Sequence, residues 1–128
     1  MKEIEISVDN FSKAVLKLEK GIKKANDELG RDGVIQRFEF TFELFWKTLK
    51  LLLNWEGIPC KTPRSGVKEA FRNDLIVKSE IYLDMLADRN RSSHIYDEAT
   101  SIEIFKRIKD SYLTELQKAE NNFQDYLE

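Results

Sequence analysis

One segment limits the possible folds more than any other. From about Asp32 to Glu56 the chain carries apolar side chains around most of a helical circumference. Ile35, Phe38, Phe42, Phe45, Leu49 and Leu52 follow one another at spacings of 3, 4, 3, 4 and 3, which is one helical stripe. Phe40, Leu44, Leu51 and Trp55 form a second stripe beside it. The polar strip left over is narrow: Gln36, Glu39, Glu43, Lys47, Lys50 and Asn54. A helix this apolar is buried on more than one side. In a small bundle it is either the central helix or a helix with one face covered by a second subunit.

The rest of the chain reads as partners for that helix. Phe11, Val15, Leu18, Ile22, Ala25 and Leu29 make one stripe, with Asp9 or Asn10 as its cap, and the LGRDG segment between Gly30 and Gly33 reads as a turn. Gly57 should end the long helix, and GIPCKTPR with its two prolines is a loop. Ser65 can cap a short helix through Phe71 or Arg72. A further helix is expected over Val77 to Asn90, with Ile81, Met85 and Leu86 inward. The last should begin near Asp97 or Glu98, burying Phe105, Ile108, Tyr112, Leu116, Ala119 and Phe123. No strand pattern or repeat is visible. The expected fold is all-α: an antiparallel, up-and-down four-helix bundle with one additional short helix, forming a single domain over residues 1–128.

Charge and composition remove several function classes. Lys and Arg total 21 against 23 Asp and Glu, a net charge of −2, so there is no overall basic footprint for nucleic acid and any RNA contact has to be local. Cys60 is alone, which excludes a disulfide framework and cysteine-type metal spacing; a reduced loop thiol is expected. The N-terminus MKEIEISVDN has no apolar signal-type core, and no apolar run approaches the ~18 residues a membrane span requires, so a cytoplasmic place is expected. Walker, GxGxxG, zinc-type and Ser-His-Asp patterns are absent, and no cofactor or metal is expected.

The stretch DRNRSSHIY, residues 88–96, holds the chain's only histidine, two arginines before it and a tyrosine after it. The plain reading is a polar connection between helices: Arg89 answers the negative end of its helix, and Ser92 or Ser93 caps the next one. The chemical reading is also open. Histidine exchanges a proton near neutral pH, and arginine offers a permanently charged planar fork that fits phosphate. Together they suit cleavage of an RNA phosphodiester without metal. His94 would move a proton on the attacking 2′-OH or the leaving 5′-oxygen, and Arg89 would hold the phosphate. One histidine does not easily serve both transfers, whereas a dimer would supply two.

Other polar groups point less clearly to chemistry. Glu39 and Glu43, four apart on one face with Lys47 and Lys50 nearby, read as a solvated or inter-helix ion-pair strip. Trp46, Trp55 and the phenylalanines sit at helical spacing and read as core or interface rather than as base-stacking platforms. KTPRSGVKEAFR is basic, and an ordinary solvated loop is its simplest reading.

The motif and its surroundings resemble the HEPN superfamily, and within it the nucleotidyltransferase substrate-binding proteins related to HepT toxins. The hallmark is an arginine, a polar residue, three variable positions and a histidine, here Arg89-Asn90-Arg91-Ser92-Ser93-His94, with Tyr96 matching the tyrosine that the toxin branch adds. IQRFEFTFELFWKTLKLLL, GIPCKTPRSGVKEAF and LADRNRSSHIYDE carry the likeness in order, over roughly residues 8 to 126. The resemblance implies a homodimer whose motifs face each other across the interface. It implies a minimal nucleotidyltransferase (MNT) as partner, produced alongside. In the toxin branch it implies a metal-independent ribonuclease, with Arg89 and His94 catalytic, Asn90 supporting, and Tyr96 modified with AMP by the MNT enzyme to silence it. The alternative it leaves open is a non-catalytic substrate-binding subunit, since both branches keep the same motif.

Overall fold

The structure is a computed structural model that describes residues 1–92 and 97–128. The helices are α1 (Lys2–Lys24), α2 (Glu28–Trp55), α3 (Pro63–Arg72), α4 (Glu80–Ser92), α5 (Glu98–Arg107) and α6 (Leu113–Leu127). A π-helical turn, Ile108–Tyr112, joins α5 to α6, so the last two form one interrupted helix. No strand occurs among the described residues. The expected all-helical bundle with one short extra helix, α3, is what forms.

Helix α2 is the central element and packs against α1, α3, α4 and α5. That explains most of its apolar circumference: Phe38, Phe42, Phe45, Leu49, Leu52 and Leu53 are all fully buried. The second stripe behaves differently. Phe40 is 61% and Trp55 58% exposed, with Leu44 and Leu51 half-buried. Trp46 faces inward instead, and its ring lies so close to α3 that a Cβ added at Gly66 would come within 2.4 Å of it. A glycine is needed there to let the two helices approach.

The core is aromatic. The Phe45 ring stacks on Tyr82 at 4.8 Å and packs against Phe11 and Phe123 at 5.9 and 6.0 Å, which ties α1, α2, α4 and α6 together. The Tyr82 hydroxyl donates to the Glu115 carbonyl at 2.8 Å, so its buried oxygen is satisfied.

Several boundaries differ from the sequence expectation. Helix α1 begins at Lys2, well before Asp9, because Ile4 and Val8 extend the buried stripe by two further turns. LGRDG is not a turn. Asp27 caps α2 through Gly30 N at 2.7 Å, so Gly30 and Gly33 lie inside the helix, and Leu29 is left 81% exposed on its first turn. Gly30 eases the close fold-back, since an added Cβ would lie 3.0 Å from the Ala25 backbone and press on it. Helix α2 does end as expected: Gly57 has φ +79°, and Ile58 N returns to Leu53 O. Thr62, not Ser65, caps α3, with Ser65 as its reciprocal partner and Pro63 in the first turn. In α4 the inward residues are Tyr82, Met85 and Asp88, at spacings of 3, while Ile81 and Leu86 flank them. In the last helix Ile104 takes the inward place and Phe105 flanks.

Candidate functional site

The last turn of α4 carries the motif's first residues and is gripped from two sides. On one side is α2. Arg89 Nη2 donates to Glu43 Oε2 at 2.5 Å, and Ser92 Oγ lies 2.6 Å from Glu39 Oε2. Glu39 and Glu43 are one helical turn apart, so they meet two α4 residues separated by nearly the same rise. This is the inter-helix polar strip expected of that pair, but its partners come from α4 and not from Lys47 or Lys50. Arg89 and Glu43 are each about one-third exposed, at 28% and 34%, so solvent and ligands can reach them. Asn90 accepts from Arg89 Nη1 at 3.3 Å. His94 and Tyr96, the other two expected site residues, lie outside the described residues.

On the other side is the π-helical turn. Asp88 is buried, at 3% exposed, next to the motif arginine. Its carboxylate accepts both Nε and Nη2 of Arg107, at 2.7 and 2.8 Å, and the Tyr112 hydroxyl at 2.6 Å. Arg91 Nη1 stands 3.7 Å away on the solvent side. A buried carboxylate is tolerated when paired and hydrogen-bonded in this way.

The π turn makes this convergence possible. Arg107 and Tyr112 are five residues apart, which on an α-helix would set them about 140° apart around the axis. Bonds from i to i+5 bring such residues above one another, and Leu113 N reaches Ile108 O across this turn. Both side chains then face Asp88. Electrostatics follow the geometry. Hydrogen bonding to Asp88 strengthens the proton affinity of the Arg107 guanidinium. Burial, followed by the bond to Asp88, pushes the Tyr112 phenol above its ordinary value.

Asp88, Arg107 and Tyr112 went unrecognised as a cluster in the sequence. The available signal was Asp88 itself, which continues the inward stripe Tyr82, Met85, Asp88; a carboxylate at an inward position requires a partner. The five-residue spacing hid the partners, since only a π turn unites them.

Chemically, the arrangement presents one arginine fork at the end of a rigidly held helix. Arg89 is already charge-paired, so a phosphate would have to share or displace Glu43. Among the described residues no group of three or more His, Cys, Asp or Glu side chains could hold a metal ion. No helix there is long and apolar enough to cross a membrane.

Known proteins place this arrangement in context. A relative from Haemophilus influenzae named "Probable ribonuclease HepT" is 33% identical over 104 residues, covering 71% of this chain and 69% of its own length. A solved structure from Thermus thermophilus superposes with a TM-score of 0.81 at 30% identity, over 88% of this chain and 98% of that one. A Haemophilus influenzae structure, described as the fold of a substrate binding domain of a nucleotidyltransferase, superposes with a TM-score of 0.69 at 21% identity, over 96% and 98%. The family described as "Nucleotidyltransferase substrate binding protein like" matches residues 6–125, nearly the full chain, and this protein belongs to it.

Proposed function

We propose that this protein is the HEPN subunit of a two-component pair with a minimal nucleotidyltransferase, and that it is a metal-independent ribonuclease. The observation that carries the reading is Arg89. It opens the Arg-x4-His motif, and Glu43 and the Asp88 cluster hold its helix end in a fixed, partly exposed position. The name of the Haemophilus influenzae relative points to the same chemistry. In this reading the RNA 2′-OH attacks the adjacent phosphorus and the 5′-oxygen leaves, giving a 2′,3′-cyclic phosphate. Arg89 bears the developing phosphate charge, Asn90 supports it, and His94 carries the proton. Two chains supply two histidines, so the active form is a homodimer. Tyr96 is the residue to which the partner enzyme transfers AMP from ATP; a bulky anion there would repel RNA phosphate. The cytoplasm is the setting that fits these partners.

The test is a cleavage assay on total RNA in EDTA, with His94→Ala run alongside. Wild-type cleavage leaving 2′,3′-cyclic ends, absent in the variant, is the expected outcome. Equal cleavage by both would mark contamination and end the catalytic claim. Co-expression with an active partner nucleotidyltransferase should add AMP mass to the peptide containing Tyr96; an unchanged mass removes the silencing role.

A second reading is favoured by one observation: the Arg89 fork is already occupied by Glu43. A non-catalytic, substrate-binding subunit of the nucleotidyltransferase would use the same surface only for docking. Absence of metal-free cleavage over a wide protein range selects it.

A further inference from the structure

A second surface stands apart from the Arg89 end. Lys13, Lys17, Lys20 and Lys24 follow one another on α1 at spacings of 4, 3 and 4, and all are exposed. That spacing places them on one edge of the helix over about 16 Å. This row borders a groove between α1 and α2. Along the groove three contiguous hollows share walls, the widest holding about 540 Å3. Lys13, Lys17, Lys24 and Arg37 line it, and no carboxylate does among the described residues. In a chain of net charge −2, this is a strong local segregation of charge.

The cations are available. Lys13 meets Asp9 at 3.0 Å, but both are largely exposed, so the pair is weak. Among the described residues Lys17, Lys20, Lys24 and Arg37 make no ion pair. Arg37 is nevertheless fixed, since its Nη1 donates to the Lys17 carbonyl at 2.8 Å. Its fork is thereby held against α1. Phe40 stands over the same groove, 61% exposed. On α2 it lies three residues before Glu43, which grips Arg89.

We propose that this groove binds single-stranded RNA, with phosphates along the lysine row and Arg37 and one base stacked on Phe40, and that it guides the strand to Arg89. Lysines one helical turn apart, about 5.4 Å, suit a chain of regularly spaced phosphates. A cationic groove with an exposed ring is the usual means of holding an unpaired strand. A duplex would keep its bases stacked and unavailable to Phe40. The choice of RNA among polyanions rests on the ribonuclease reading; the binding itself does not require cleavage.

Fluorescence anisotropy with a labelled oligouridylate of about 12 nucleotides tests it, on His94→Ala protein so that the probe stays intact. Lys17→Gln combined with Lys24→Gln should weaken binding tenfold or more at low salt. It should also flatten the slope of log affinity against log salt by about 1.4, from about 0.7 per lost phosphate contact. Phe40→Ala should weaken binding by about tenfold and leave that slope unchanged. Absence of binding, or affinity indifferent to the lysine pair, overturns the inference. So does a Phe40→Ala protein that turns from dimer to monomer in light scattering while the lysine pair leaves affinity unchanged; that face would then belong to a second copy. Lysine-dependent binding by a protein that never cuts RNA overturns only the ribonuclease reading.

Discussion

Two acid–arginine pairs flank the last turn of α4, and they are built for different work. Asp88 is 4% exposed at its side chain, holds Arg107 by two parallel bonds and takes a third from Tyr112. Glu43 holds Arg89 by one bond, with both partners about one-third exposed. The first pair has fixed geometry and a buried carboxylate, so removing Arg107 would leave the Asp88 charge unmatched. The second can trade its carboxylate for a ligand phosphate at low cost, because water already reaches both groups. The contrast separates a buried carboxylate, doubly bonded to its arginine, from a partly exposed arginine, singly bonded to its carboxylate, within one helical turn.

Breaking the scaffold pair should have the largest effect. Asp88→Ala leaves Arg107 and the Tyr112 hydroxyl without their acceptor. The expected loss is about 2–3 kcal/mol, below the range for a fully buried pair because Arg107 is 39% exposed. Urea unfolding measures it, and a change within 0.5 kcal/mol, roughly the scatter of ordinary surface substitutions, would refute the scaffold assignment.

Tyr112→Phe is milder, at about 1 kcal/mol, since one hydrogen bond is lost and the ring remains. Its signature is in alkali. Tyr112 and Tyr82 both titrate above the ordinary 10.0 when folded. From about pH 10 upward the unfolded chain has lost these protons while the folded chain keeps them. Proton binding is then greater in the native state, so stability is complete below pH ~10 and falls as pH rises. Tyr112→Phe should make that fall shallower. An unchanged alkaline slope would mean that Tyr112 ionises freely when folded.

The smallest expected stability change is at the exchangeable pair. Glu43→Gln should cost less than about 1 kcal/mol. It should strengthen phosphate or RNA binding at Arg89, as the competing negative charge is gone. Weaker binding in this variant would show that Glu43 orients Arg89 more than it competes for it.

The candidate site was legible in the sequence as far as local chemistry reaches. Arg89, Asn90, His94 and Tyr96 stand out within nine residues, and the first two fall on the end of α4 as expected. Glu39 and Glu43 were visible as a pair, since helical spacing alone puts them on one face. Their partners were not, being 53 and 46 residues away. The cap of α5 was misplaced: Asp97, and not Ser92 or Ser93, holds it, and bonds from the Thr100 amide and hydroxyl lower the Asp97 pKa.

What the sequence alone determined is the helical set and its order, because apolar residues at spacings of three and four impose an amphipathic helix whatever lies elsewhere. It also determined that α2 is covered on more than one side, while the choice between a central helix and a face covered by a second subunit stayed open. Tertiary structure decided the rest. The early start of α1 and the loss of the LGRDG turn came from packing and from the Asp27 cap outweighing weak glycine signals. The π turn, which brings Arg107 and Tyr112 together on Asp88, has no signature in local periodicity. Here it sets both donors on the buried carboxylate of another helix.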